Sequence, residues 1–187
     1  MKDSKTTIST PINDLSATDP RWFAIYTKYK CEKYVVDQLS RKGIAAYVPL
    51  VTVTKRYTSK VKRYQVPLIN SYAFVQIVKN QYVQVLETEY VYSYIKQRKN
   101  LISIPQAEID ILKMVVGEIE NVQVGEFTLA KGDEVEIISG NLTGIRGRLI
   151  EKEGKNTFTV QLTSVGLQLE MIIDSSKLRL IRRGARG

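Results

Sequence analysis

Between Lys55 and Arg63 the chain places Lys55, Arg56, Lys60, Lys62 and Arg63 around Tyr57, with no acidic residue among them. Cations at this density hold phosphate oxygens, and an interleaved ring can stack on a base. A solvated loop would have the same composition, so the spacing alone leaves both readings open. A second set lies earlier: Lys28, Gln38, Arg41 and Lys42 fall opposite Cys31, Val35 and Leu39, which share one face of a helical stretch. Other chemistry is poorly provided for. Histidine is absent and Cys31 is the single cysteine. This removes Ser-His and Cys-His nucleophile pairs, a disulfide within the chain and any multi-cysteine metal site. No paired carboxylates sit on a recognisable scaffold for acid-base work. The residues point to binding rather than catalysis, with no metal or cofactor expected.

The charge is unevenly spread. The 187 residues carry 28 Lys and Arg against 19 Asp and Glu, a net of +9. From Arg21 to Pro105 there are 15 basic and 4 acidic residues, a net of +11. Gln106 to Thr128 holds 1 against 5, or −4, and Leu129 to Gly187 holds 10 against 7, or +3. A basic segment of this kind is the electrostatic footprint of a nucleic-acid partner, because each cation near a phosphate releases condensed counterions. The first twenty residues lack the apolar core of a signal peptide, and no stretch approaches the ~18 apolar residues of a membrane span. The composition predicts a cytoplasmic monomer with no membrane contact.

Periodicity then supplies the elements that must position these residues. Trp22 to Thr27 and Val66 to Ile77 read as core strands, the latter entered through a tight loop after Pro67. Lys28 to Lys42 reads as a helix closed by Gly43, and Ile44 to Thr54 as a strand interrupted at Pro49. Asn80 to Glu89 and Pro105 to Val116 read as helices flanking a strand at Val91 to Lys96. Beyond Leu129 only short strands alternate: Lys131 to Ile138, Ile145 to Ile150, Thr157 to Leu162 and Leu167 to Ile173. The predicted fold is an α+β N-terminal domain, mainly antiparallel sheet with helices, followed by an all-β small barrel. The expected boundaries are a disordered tail at 1–20, domains at 21–117 and 130–183, a linker at 118–129 and a short tail at 184–187.

Trp22-Phe-Ala-Ile-Tyr-Thr27, Glu32, Val48-Pro49 and Pro67-Leu-Ile-Asn-Ser-Tyr72-Ala-Phe74-Val, in that order, resemble the N-terminal domain of the NusG family of transcription factors. Gly140-Asn-Leu-Thr-Gly144-Ile-Arg146-Gly147 resembles the KOW motif that follows it in that family. The resemblance implies a non-enzymatic protein that docks on the clamp helices of the largest RNA polymerase subunit and suppresses pausing and termination. The implied docking residues are Trp22, Leu68, Ile69, Tyr72 and Phe74. Where the family usually has Phe-Pro before this tyrosine turn, the chain has Ile69-Asn70.

In RfaH-type members, the face at Lys28, Gln38, Arg41 and Lys42 aligns with residues that read non-template DNA. Lys28 and Arg41 match those residues in type. The basic stretch from Lys55 to Arg63 is the second candidate for DNA or nascent RNA. Ser164-Val165-Gly166-Leu167 occupies the barrel loop where general members carry Ile-Phe-Gly-Arg, which weakens Rho binding and leaves the ribosome as the implied partner. The whole looks most like the UpxY antiterminators of capsular polysaccharide operons. Two alternatives are a housekeeping NusG and, from a different class, a ribosome-associated RNA-binding KOW protein.

Overall fold

The computed structural model describes residues 13–118, 122–126, 132–152 and 155–184. The N-terminal domain is a four-stranded antiparallel sheet built around β1, Arg21–Thr27. β1 pairs on one side with β5, Tyr72–Ile77, and on the other with β6, Val91–Tyr94. β2, Ala45–Tyr47, extends the sheet beyond β5. Trp22, Phe23, Ala24 and Ile25 are all buried, without the alternation of a half-exposed strand, because both faces of this sheet are covered. Phe23, Ile25, Ala73, Val75 and Ile77 pack with Val35 and Leu39 of α1, Glu32–Arg41, and with Val85 of α2, Tyr82–Leu86. Trp22, Ala24 and Phe74 pack with Ile109, Leu112 and Val115 of α3, Gln106–Glu118. Each of these fully buried side chains contributes about 1.5–3 kcal/mol of burial free energy.

Helix α1 begins four residues later than its apolar spacing predicts, because Lys30 takes φ 64° and breaks the helical run. It ends at Gly43, φ 74°, where the Gly43 and Ile44 N–H groups return to the Ser40 and Leu39 carbonyls. This left-handed exit is one that glycine takes without strain. The long strand expected from Val66 to Ile77 is two strands. β4, Lys60–Pro67, pairs with β3, Leu50–Tyr57, as a separate ribbon turning at Thr58-Ser59. The loop to β5 then passes through Ser71 at φ 62°. The buried carboxylate of Glu32 holds that corner, accepting the Ser71 N–H at 2.7 Å.

The second domain is all-β, an antiparallel sheet in the order β12-β8-β9-β10-β11-β7. Its strands are β7, Val122–Glu126, β8, Asp133–Ile137, and β9, Arg146–Lys152. They are followed by β10, Lys155–Leu162, β11, Leu167–Met171, and β12, Leu178–Arg182. Phe158, Leu162 and Leu169 are fully buried at its centre. Gly147 is required there because a Cβ would run into the Thr159 carbonyl and lie 2.7 Å from the Phe158 ring.

Two stretches differ from their sequence reading. Residues 13–19, read as part of a tail, are tied down: Asp14 accepts from the Ser103 N–H and hydroxyl, and Ser16 from the Lys79 N–H. The tail's first twelve residues lie outside the described residues. Val122–Glu126, read as linker, forms β7 against β11. Short polar sequences carry little periodicity, so tertiary pairing decides both.

The two domains touch. Gln97 Nε2 donates to the Thr163 carbonyl at 2.7 Å. Oε1 of the buried Glu108, on α3, accepts from Thr163 Oγ1 at 3.0 Å, from Ser164 Oγ at 3.1 Å and from the Ser164 N–H at 3.3 Å. Val165 is buried in an apolar cluster that runs without a break from the second domain to Trp22, Ile69 and Phe74.

These contacts carry three predictions. Glu32→Ala leaves the half-buried Ser71 N–H without its acceptor, and thermal or denaturant unfolding should register a loss of about 1–3 kcal/mol. Glu108→Ala removes the acceptor of three bonds between the domains, and small-angle scattering should then report a larger radius of gyration. Burial pushes the Tyr47 phenol from 10.0 up to about 12. Below pH 10 that group is neutral folded and unfolded alike, whereas between 10 and 12 only the unfolded chain ionises it. Stability should therefore fall as pH rises through this window, and Tyr47→Phe should flatten that part of the alkaline denaturation profile.

Candidate binding surfaces

The ribbon of β3 and β4 sorts its charges by register. Directly opposed residues share a face. The pairs Tyr57–Lys60, Lys55–Lys62 and Val53–Tyr64 therefore lie on one side, and Thr54–Arg63 and Arg56–Val61 on the other. Of the five predicted cations, Lys55, Lys60 and Lys62 thus share a face with two tyrosines, while Arg56 and Arg63 point away from them. The Tyr57 and Tyr64 hydroxyls lie 3.0 Å apart, and Lys55 Nζ sits 5.9 Å from the Tyr64 ring centre. The hydrogen bond to Tyr57 raises the pKa of the Tyr64 phenol. Tyr64 was not singled out in the sequence, although an i, j pairing across the Thr58-Ser59 turn would have found it.

The five predicted docking residues divide by burial. Trp22, Ile69 and Phe74 are buried inside the chain's own core. Trp22 Nε1 donates to Gln106 Oε1 at 2.8 Å, and Lys113 lies over its ring. Alternation places Trp22 and Phe74 on the α3 side of the sheet, so the helix and the second domain cover them. Leu68 and Tyr72 remain half-buried. Register adds two exposed rings beside Tyr72 that the sequence reading missed. Tyr26 opposes it, at 6.3 Å between ring centres and nearly perpendicular, and Tyr92 lies 5.9 Å from Tyr26. Burial and the neighbouring Tyr26 raise the pKa of the Tyr72 phenol.

On the α1 side, Lys42 is committed within the chain, its Nζ donating to Thr88 Oγ1 at 2.8 Å. Arg41 pairs with Asp37 one turn earlier at 2.8 Å, an exposed contact worth only tenths of a kcal/mol. Lys28 Nζ lies 4.9 Å from the centre of the Tyr90 ring. Gln38 is half-buried between these cations in sequence.

In the second domain, Gly140 and Gly144 take φ 83° and 91° in the turn before β9. Arg146 faces Glu136 at 4.0 Å. The hydrogen bond from Arg179, at 2.6 Å, holds that carboxyl below the usual carboxylate range. The Ser164-Val165-Gly166-Leu167 loop is partly occupied by the chain itself. Ser164 is bonded to Glu108, Val165 is buried and Gly166 turns at φ 69° into β11.

No helix among the described residues is long and apolar enough to cross a membrane, and no group of three or more metal-ligating side chains occurs among them. A search of curated protein sequences finds no match. Among solved structures, the chain is similar to the protein in "Domain interaction in Thermotoga maritima NusG". That overlay has a TM-score of 0.55 at 17% identity and covers 89% of this chain and 100% of that one. A chain of "Crystal Structure of MjSpt4:Spt5 complex conformation B" overlays at 19% identity over 88% of this chain and 99% of its own. Its TM-score of 0.32 carries no argument. Residues 20–113, half of the chain, match the family described as transcription termination factor NusG. The chain belongs to the NusG family of transcription factors.

Proposed function

We infer that this protein is a specialised, operon-recruited antitermination factor with a KOW-type second domain, which rides on transcribing RNA polymerase. The carrying observation is that one domain has two exposed, chemically different surfaces. One is the tyrosine patch of Tyr26, Tyr72 and Tyr92 beside Leu68. The other is the ribbon face of Lys55, Lys60 and Lys62 with Tyr57 and Tyr64. Amphipathic rings suit the centre of a protein interface, and a lysine face with stacked tyrosines suits a nucleic-acid strand.

In this reading the tyrosine patch docks on the clamp helices of the largest polymerase subunit. The ribbon and the Lys28–Arg41 face meet non-template DNA or nascent RNA. Trp22, Ile69 and Phe74 act from beneath, by holding the sheet. Binding favours elongation because the factor holds the closed clamp more tightly than the open one, and only that difference can shift the equilibrium. The loop at 164–167 lacks the phenylalanine and arginine of general family members, which favours a ribosomal partner over Rho for the second domain.

Polymerase capture by the full-length protein tests the reading. Tyr72→Ala should weaken binding by about 2 kcal/mol or more, as loss of a central aromatic contact does. Lys55→Gln, Lys60→Gln and Lys62→Gln together should leave capture of the free enzyme intact and weaken binding to elongation complexes that carry exposed single strands. A folded wild-type protein that captures no polymerase would sink the proposal.

A further inference from the structure

Where α2 meets β6, the chain builds a small site that neither the charge pattern nor the ribbon explains. Tyr34, on the exposed side of α1, and Tyr90, in the turn before β6, lie 5.4 Å apart between ring centres at 58°. Glu89 joins them: the Tyr34 hydroxyl donates to Glu89 Oε2 at 2.9 Å, and Tyr90 is hydrogen-bonded to the same carboxylate. Both phenols are raised in pKa by that partner, so they stay neutral donors at physiological pH. Lys28 Nζ sits over the Tyr90 ring at 4.9 Å. Arg41 lies near enough to Tyr34 to act on its phenol electrostatically. Tyr34, Glu89, Lys28 and Arg41 are exposed.

The backbone is held under strain to make this arrangement. Tyr90 takes φ 68°, a conformation that costs a bulky residue of order 1 kcal/mol and that glycine would adopt freely. Its carbonyl accepts the Lys28 N–H at 2.9 Å, and Lys42 pins Thr88 two residues before it. A ring kept at such a position is paid for by what the ring does.

We propose that Tyr34, Tyr90 and Glu89 form a reading site for one unpaired base of a single-stranded nucleic acid, selecting a base with an exocyclic amine. The proposal rests on the nucleic-acid reading of this domain and names where and how a base is taken. The rings supply the stacking surface. Lys28 and Arg41 supply cations for the flanking phosphates. An ionised carboxylate only accepts, and with about four lone-pair sites it keeps capacity after its two phenol bonds. Cytosine N4, adenine N6 and guanine N2 amines can donate to it. Thymine and uracil offer an N3–H flanked by two carbonyl oxygens, which the carboxylate repels. The site therefore prefers C, A or G over T or U.

The test is fluorescence anisotropy of the full-length protein with labelled oligo-dC and oligo-dT at one fixed salt concentration. Wild type should bind oligo-dC more tightly than oligo-dT. Tyr34→Ala should weaken oligo-dC binding about tenfold, within the range for losing one stacked base. Tyr34→Phe should retain most of the affinity, which separates stacking from a folding defect. Glu89→Gln should erase the preference for oligo-dC without weakening oligo-dT. If both oligonucleotides bind equally to wild type and Tyr34→Ala, while the three ribbon lysine changes abolish binding, the site is overturned and the wider reading stands. If wild type binds neither oligonucleotide, the nucleic-acid reading falls and takes the site with it.

Discussion

A single buried carboxylate fixes the geometry on which both ends of the N-terminal sheet depend. Glu32 stands in the first turn of α1, and its Oε1 accepts the N–H of Ser71. Ser71 in turn offers its carbonyl to the Thr27 N–H, and the next residue, Lys28, donates to Tyr90. One chain of contacts thus ties the helix, the end of β1, the entry to β5 and the turn before β6. Three of the chain's left-handed non-glycine residues, Lys30, Ser71 and Tyr90, are gathered around it. Strain of this kind persists only where the surroundings over-determine it, and it clusters at sites that must present side chains in fixed positions. Here it presents Tyr72 on one side of the corner and Tyr90 on the other.

The uneven charge acquires a shape from the same construction. A net of +11 between Arg21 and Pro105 describes a field, whereas the fold breaks it into surfaces of different character. The ribbon lysines stand on an exposed two-stranded element with no apolar face to bury, so its tyrosines are free to meet a partner. Lys42 and Lys113 have been withdrawn from that pool, one onto Thr88 and the other over the Trp22 and Tyr47 rings. A long lysine stem can spend its charge covering aromatic surface as readily as meeting phosphate.

This withdrawal marks how far the sequence could be read. The α+β domain followed by an all-β domain was legible, because apolar periods of two and 3.6 residues are strong where a core must form. Gly43 and Gly147 were legible as punctuation, and the split at Pro49 as a break. What failed were decisions made by tertiary pairing. Trp22 and Phe74 are aromatic and conspicuous, yet β-alternation alone does not say that α3 lies over them. Tyr26, Tyr92, Tyr34 and Tyr90 look like scattered surface tyrosines until register and the Glu89 contact bring them together. Residues 13–19 and 122–126 carry too little apolar pattern to announce that neighbouring backbone will bind them.

The contact between the domains is built to be reversible. It places three hydrogen bonds on one oxygen of Glu108, while Oε2 is buried with no hydrogen-bond partner among the described residues. An unsatisfied buried carboxylate oxygen costs on the order of 1–3 kcal/mol or more, which offsets much of what those bonds contribute. Val165 and the apolar cluster behind it add attraction, so the arrangement persists without being deep. While it does, Ser164 and Val165 cannot face another molecule, and the sheet beneath α3 stays sealed. Any partner of that loop must therefore compete with Glu108, and its affinity is reduced by whatever the closed arrangement is worth.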